Sequence, residues 1–226
     1  MADDVDGLPV VSPPFDERSS GGTDSDGSRG RQERPRVAGI LLAAGTSSRF
    51  GDRNKLLATR EGEPIVRRAA QTLVAAGLAP VVVVVGHEAE RVKAALDGLD
   101  VRFVTNEAYA TGQASSVRAG VQALVDAEEA IDAAVIALGD MPYVASVTVE
   151  TLVDAYEAGV GDALAPAHES VRGNPVLFDQ RFFADLVDVS GDVGGREVLL
   201  EGGSSACVAV DDPGVRRDVD EPADLG

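Results

Sequence analysis

Apolar runs too continuous to face water alternate along this chain with longer stretches in which apolar residues recur every three or four positions. Val37 to Ala44 contains nothing polar. That is the pattern of a strand buried on both faces of a parallel sheet, and it stops at Gly45. Val81 to Val85, Val101 to Val104 and Ala133 to Leu138 read as further strands. Between them, Ile65, Ala69, Leu73 and Ala76 repeat at helical spacing behind Pro64 and end at Gly77, and helices are also predicted over 88–96, 115–125 and 149–158. Strands alternating with helices predict an α/β fold: a mostly parallel, doubly wound, Rossmann-like sheet covered on both faces. The rhythm breaks after residue 163. Ala163 to Ala167 and Pro175 to Phe178 read as strands with no full helix between them, which predicts a small antiparallel edge or insertion covering the mouth of the sheet. Residues 1–35 are rich in Asp, Ser, Gly, Pro and Arg and poor in aliphatics. They are expected to form a disordered acidic tail ahead of a single domain over 36–226.

Charge sharpens this picture. The formal net charge is -18, and lysine is reduced to Lys55 and Lys93. Such a surface repels nucleic acid, and it is the composition expected of a halophilic protein, because concentrated salt screens self-repulsion. No apolar stretch is long enough for a bilayer and the N-terminus carries no signal-like core, so a soluble, cytoplasmic protein is expected. The one cysteine, Cys207, excludes an internal disulfide, and its apolar neighbours point to burial in a strand.

In an open α/β sheet, ligands sit beyond the carboxyl ends of the strands. The first strand exits into Gly45, Thr46, Ser47, Ser48, Arg49 and Gly51, with Lys55 following. Glycines that let backbone approach a ligand, hydroxyl donors and two cations describe a phosphate loop; an ordinary glycine-rich turn is the bland alternative. The spacing fits neither the P-loop nor the dinucleotide fingerprint. The second strand ends at His87, which reads better as a loop or helix-capping residue than as a ligand contact. The third ends at Asn106, followed by Tyr109, Gly112, Gln113, Ser115 and Ser116. Amides and hydroxyls suit the edge of a nucleobase, although either serine could equally cap a helix. The fourth ends at Asp140, between Gly139 and Met141-Pro142, as an Asx-turn or as a ligand for Mg²⁺, which prefers hard oxygen donors. Near the C-terminus, Asp218 and Asp220 would share one side of an extended segment before a short helix beginning at Pro222. By themselves the glycine-bearing stretches around Arg172 and Arg196 read as a mobile loop.

Leu42 to Leu57 resembles the signature Leu-Ala-Ala-Gly-x-Ser-x-Arg-x-Gly-x-x-Lys-Leu-Leu of the nucleotidyltransferases related to the molybdenum cofactor guanylyl- and cytidylyltransferases. Gly139-Asp140-Met141-Pro142 is similar to that family's Asp-x-Pro metal site, and Asp218 to Asp224 to its Asp-Ile-Asp-Thr-Pro-Glu-Asp, with Glu221 and Ala223 departing from it. Residues 172–178 and 191–196 resemble the Arg-Gly-His-Pro-Val-Leu-Phe and Gly-Asp-x-Gly-Ala-Arg motifs of the cytidylyl branch, with Asn174 and Gly195 as substitutions. The resemblance implies a nucleotidyltransferase-type sheet and transfer of a nucleotidyl group to a phosphorylated acceptor with release of pyrophosphate. It implies that Leu42, Ala43, Ala44, Gly45, Gly51, Asn106 and Ser116 bind the nucleotide. Arg49 and Lys55 would neutralise phosphate charge, Asp140 and Asp220 would hold Mg²⁺, and Arg172, Asn174, Asp192 and Arg196 would bind the acceptor. Ala44, where the guanylyl branch usually has glycine, points to CTP. The implied acceptor is the terminal phosphate of molybdopterin or molybdenum cofactor, with a molybdoenzyme or maturation factor as recipient partner. The alternatives are a guanylyltransferase, a nucleotidyltransferase for another small phosphorylated acceptor, and a non-catalytic nucleotide-binding regulator or cofactor chaperone.

Overall fold

The apolar run at 37–44 lies at the heart of the sheet. A computed structural model describes residues 4–15, 34–46, 50, 54–127, 129–189 and 195–225. In chain order the strands are β1 (Asp4–Val5), β2 (Leu8–Val11), β3 (Val37–Ala43), β4 (Thr59–Arg60), β5 (Glu63–Pro64), β6 (Val81–Val85), β7 (Arg102–Thr105), β8 (Ala133–Leu138), β9 (Ala163–His168), β10 (Val171–Arg172), β11 (Val176–Asp179) and β12 (Ser205–Ala209). The helices are α1 (Ile65–Ala75), α2 (Ala89–Ala95), α3 (Gln113–Asp126), α4 (Ser146–Glu157), α5 (Phe183–Asp188) and α6 (Arg196–Glu201). Apart from the small hairpin β4–β5, the strands described join one sheet in the order β1-β2-β12-β9-β11-β8-β3-β6-β7, with β10 beside β9.

β3 is flanked in parallel by β6 and β8, and its side chains alternate between two cores. Leu41 and Ala43 pack with Leu73 of α1, Val92 of α2 and Leu152 of α4. Ile40, Leu42 and Ala44 pack with Val117 of α3, Leu186 of α5 and Leu199 of α6. The doubly wound α/β architecture is therefore present, and Gly77 ends α1 with a φ of 76°. The antiparallel element is an insertion: β11 runs antiparallel between β8 and β9, well inside the sheet, and it does not cover its mouth. Cys207 is fully buried in β12 and its thiol pKa is pushed up to about 11 by burial. Among the described residues no helix is long and apolar enough to cross a membrane.

The disordered tail expected over 1–35 is corrected for residues 4–15. β2 pairs in parallel with β12, placing Val10 opposite Cys207, and β1 folds back on β2. Val5 and Leu8 are buried in the second core. Composition argues that such a segment cannot bury enough of its own surface. Here it borrows the sheet's, and the open hydrogen-bonding edge of β12 satisfies its backbone. Residues 16–33 lie outside the described residues.

Candidate functional site

The carboxyl ends of β3 and β8 open into a cleft of about 590 Å³. Its apolar lining comes from Leu42, Ala44, Leu56 and Leu138, and its polar lining includes Thr46, Lys55, Gln113, Ser116, Asp140 and Asp220. Several short-range devices bring these groups together. Asn54 caps the turn Lys55–Leu57 by accepting from the Leu56 N–H at 3.0 Å, while Leu56 is buried in the first core; this anchors the backbone under Lys55. The turn after β8 crosses closely over the end of β3. Gly139 donates to the Leu42 carbonyl at 2.9 Å, and a Cβ on Gly139 would lie 3.0 Å from that oxygen, so the close approach favours glycine. The C-terminal segment is tied to the same turn by Val219, which is fully buried and donates its N–H to the Asp140 carbonyl at 2.9 Å. Asp224 then accepts from the Asp220 and Glu221 N–H groups at 3.0 and 2.7 Å, so this segment is held locally despite the departures at 221 and 223.

The result is one cation between two carboxylates. Lys55 Nζ lies 2.6 Å from Asp140 Oδ2 and 2.7 Å from Asp220 Oδ1. Burial alone would lower the ammonium pKa, but the charges and hydrogen bonds of Asp140 and Asp220 outweigh it and raise the pKa. The other oxygen of Asp140, Oδ1, is buried without a hydrogen-bond partner among the described residues. A buried anionic oxygen left this way is costly unless a cation meets it. Two converging carboxylates, one with an unmatched oxygen, fit a hard divalent cation.

Of the other residues singled out in the sequence, Leu42, Ala44, Gly45 and Ser116 line the cleft, whereas Ala43 is buried in the opposite core. Arg49, Gly51 and Asp192 lie outside the described residues. Asn106 stands behind the wall. Its carbonyl accepts from the Ala108 N–H at 2.9 Å and its amide donates to Ser115 and Ser116 Oγ at 2.8 and 3.1 Å, so it braces the turn into α3. Arg172 is not in the cleft: its Nε is 2.9 Å from Asp6 Oδ2 in the turn between β1 and β2. Asn174 lines a small separate pocket beside α1, and Arg196 is exposed at the start of α6. Sequence reasoning did not assign Phe50 or Tyr109. Phe50 lines the cleft and packs on Ile65 and Val219. Tyr109 also lines the cleft, and the available signal was an aromatic amid polar residues at a strand exit.

Residues 39–207 match the family model described as MobA-like NTP transferase domain. A nicotine blue oxidoreductase of Paenarthrobacter nicotinovorans is 32% identical over 76% of this chain and 85% of its own. A probable molybdenum cofactor guanylyltransferase of Natronomonas pharaonis is 30% identical over 74% of this chain and 87% of its own. Among solved structures, Rv0371c of Mycobacterium tuberculosis H37Rv superposes with a TM-score of 0.73 at 27% identity, covering 85% of this chain and 96% of that one. A manganese complex of that protein superposes with a TM-score of 0.67, covering 84% and 95%.

Proposed function

Because the chain belongs to the MobA-like NTP transferase family and is a nucleotidyltransferase, we propose that its donor is CTP and its acceptor the terminal phosphate of molybdopterin or molybdenum cofactor. The observation that carries the chemistry is Lys55 held between Asp140 and Asp220 on the wall of a cleft that opens beside Gly45. In this reading a phosphate oxygen of the acceptor attacks the α-phosphorus, the bond from that phosphorus to the bridging oxygen breaks, and pyrophosphate leaves with the electron pair. The acceptor is already ionised and pyrophosphate is a good leaving group, so no general base is required.

Asp140 and Asp220 would hold Mg²⁺, which when bound polarises the α-phosphate and neutralises charge. Lys55 supplies a fixed positive charge where the departing pyrophosphate becomes more negative; Arg49 is assigned the same task from the sequence alone. Thr46 and the backbone at Gly45 line the route for the phosphates, while Gln113 and Ser116 offer donors and acceptors to a base. The preference for CTP rests on Ala44, which stands among the residues that line the cleft. The acceptor-binding roles of Arg172 and Arg196 rest on the resemblance; Arg196 is exposed, whereas Arg172 is engaged by Asp6.

The test is pyrophosphate release across the four nucleoside triphosphates, with and without molybdopterin. Release with CTP only when molybdopterin is present is the expected result. A tenfold or greater preference for GTP would move the reading to the guanylyltransferase named in the Natronomonas relative. No release with any triphosphate would move it to a nucleotide-binding regulator, or to the redox class named in the Paenarthrobacter relative.

A further inference from the structure

Ala44 lines the cleft, yet it is only 2% exposed. Its methyl is therefore largely spent on protein contacts. Those contacts converge on Gly86, the residue after β6. A Cβ placed on Gly86 would lie 2.7 and 2.8 Å from Cβ and Cγ of Tyr109, and 2.9 Å from Cβ of Ala44. No real Cβ tolerates such distances. Glycine at 86 is thus the seat into which the root of the Tyr109 ring and the Ala44 methyl both settle. Gly86 is not among the residues with positive φ, so the missing side chain serves this contact and not a special backbone conformation.

Tyr109 has further neighbours. It opens the turn Tyr109–Thr111, which the Asn106 side chain anchors through the Ala108 N–H, and the His87 ring stands beside it at 6.2 Å between centroids, inclined at 51°. Tyr109 is half-buried and lines the same cleft as Gln113 and Ser116. An aromatic ring sharing a cleft with an amide and a hydroxyl supplies the groups that stack a base while its edge is hydrogen-bonded.

We infer that Tyr109 is the platform on which the nucleobase stacks, and that Ala44 and Gly86 are positioning residues that choose the base by setting where that ring stands. The inference rests on the nucleotidyltransferase reading above and adds to it how the base is selected. It makes Ala44 an indirect selector: the methyl acts through the tyrosine.

The experiment measures binding of CTP, GTP and inorganic tripolyphosphate to the full chain and its variants, with catalysis followed in parallel. The protein contains three tyrosines and no tryptophan, so stacking can be read as quenching of tyrosine emission. Tyr109→Ala should weaken CTP about tenfold or more and leave tripolyphosphate unchanged, raising KM for CTP with little change in kcat. Tyr109→Phe should keep the affinity and lose the quenching. Gly86→Ala should reproduce the CTP defect and lower the melting temperature, because its Cβ overpacks Ala44 and the root of Tyr109, while binding of tripolyphosphate below the unfolding transition is retained. Ala44→Gly should alter the ratio of CTP to GTP affinity in the wild type and leave it unaltered in a Tyr109→Ala background. The inference is overturned if Tyr109→Ala binds CTP as the wild type does, if it loses CTP and tripolyphosphate equally, or if Ala44→Gly shifts the ratio equally in both backgrounds. A wild type that binds tripolyphosphate but neither nucleotide would overturn the nucleotidyltransferase reading itself, and this inference with it.

Discussion

Replacing Lys55 by methionine should turn Asp220 from a stabilising residue into a destabilising one. In the wild type both carboxylates touch the same ammonium nitrogen, at 2.6 and 2.7 Å. Their contacting oxygens are therefore no more than about 5 Å apart, and two unit charges at that separation repel by about 3 kcal/mol at an effective dielectric of about 20. Asp220 is 35% exposed and Asp140 20%, so solvent screening reduces the repulsion to about 1 to 2 kcal/mol. With Lys55 present, Asp220→Asn removes an attraction of similar size and should lower stability. With Lys55→Met, the same substitution removes the repulsion and should raise it. The assay is a double-mutant cycle by urea unfolding at neutral pH with a chelator present, so that no divalent cation substitutes for the ammonium. Opposite effects of about 1 to 2 kcal/mol in the two backgrounds give an expected coupling of about 2 to 4 kcal/mol. Asp220→Asn acting with the same sign and size in both backgrounds would show that the three groups do not share charge as the geometry requires. Without the chelator, Mg²⁺ should stabilise Lys55→Met more than the wild type.

Asp140→Asn should abolish cation-dependent pyrophosphate release while costing about 2 kcal/mol of stability, the size of the attraction to Lys55 that it removes; unfolding at ambient temperature would make it a structural residue instead. Deleting residues 1–15 should lower stability by about 3 kcal/mol or more, since burial of Val5 and Leu8 contributes about 1.5 to 3 kcal/mol each, and an unchanged urea midpoint would mean that the hairpin does not dock in solution. The raised pKa of Lys55 means that the folded state holds this proton more tightly than the unfolded one. Its contribution is thus complete below the ordinary value of 10.5 and is lost as pH rises through the higher folded value. The stability difference between wild type and Lys55→Met should accordingly be constant near neutrality and shrink in strong alkali; a difference that shrinks on acidification from neutrality to about pH 6 would contradict the assignment.

The central strands were legible because burial on both faces leaves an uninterrupted apolar run, as in Val81 to Val85 and Ala133 to Leu138, and nothing else in the chain imitates it. Asp140 could be singled out because it stands at the exit of a buried strand, where a charge has little structural use, and Lys55 because it follows a loop of glycines and hydroxyls; Asp220 was assigned through the resemblance of its motif. Strand β2 was not legible. Leu8-Pro9-Val10-Val11 is four residues long, contains a proline and sits in a polar neighbourhood; only the distant edge of β12 makes it a strand. Asn106 shows a different limit. Its amide has the chemistry to read a base, but composition cannot tell which way a side chain's hydrogen bonds are spent, and here they go to Ala108, Ser115 and Ser116. Arg172 was drawn toward the acceptor by its neighbours in sequence, whereas its partner Asp6 lies in a segment that composition had set aside.

The pairing of Val10 with Cys207 bears on the order in which the protein is made. During synthesis the β1–β2 hairpin emerges before its partner strand β12, which leaves the ribosome only after the cleft-forming strands have been translated. Until then Val5 and Leu8 have no core to enter. The sheet can assemble around β3 first and accept the hairpin last, as an edge addition across almost the whole sequence, a contact whose loop-closure cost slows that step. A ribosome-stalled chain ending before residue 205 should therefore present an accessible N-terminal hairpin, and in the finished protein the same hairpin would be the first part of the sheet to open.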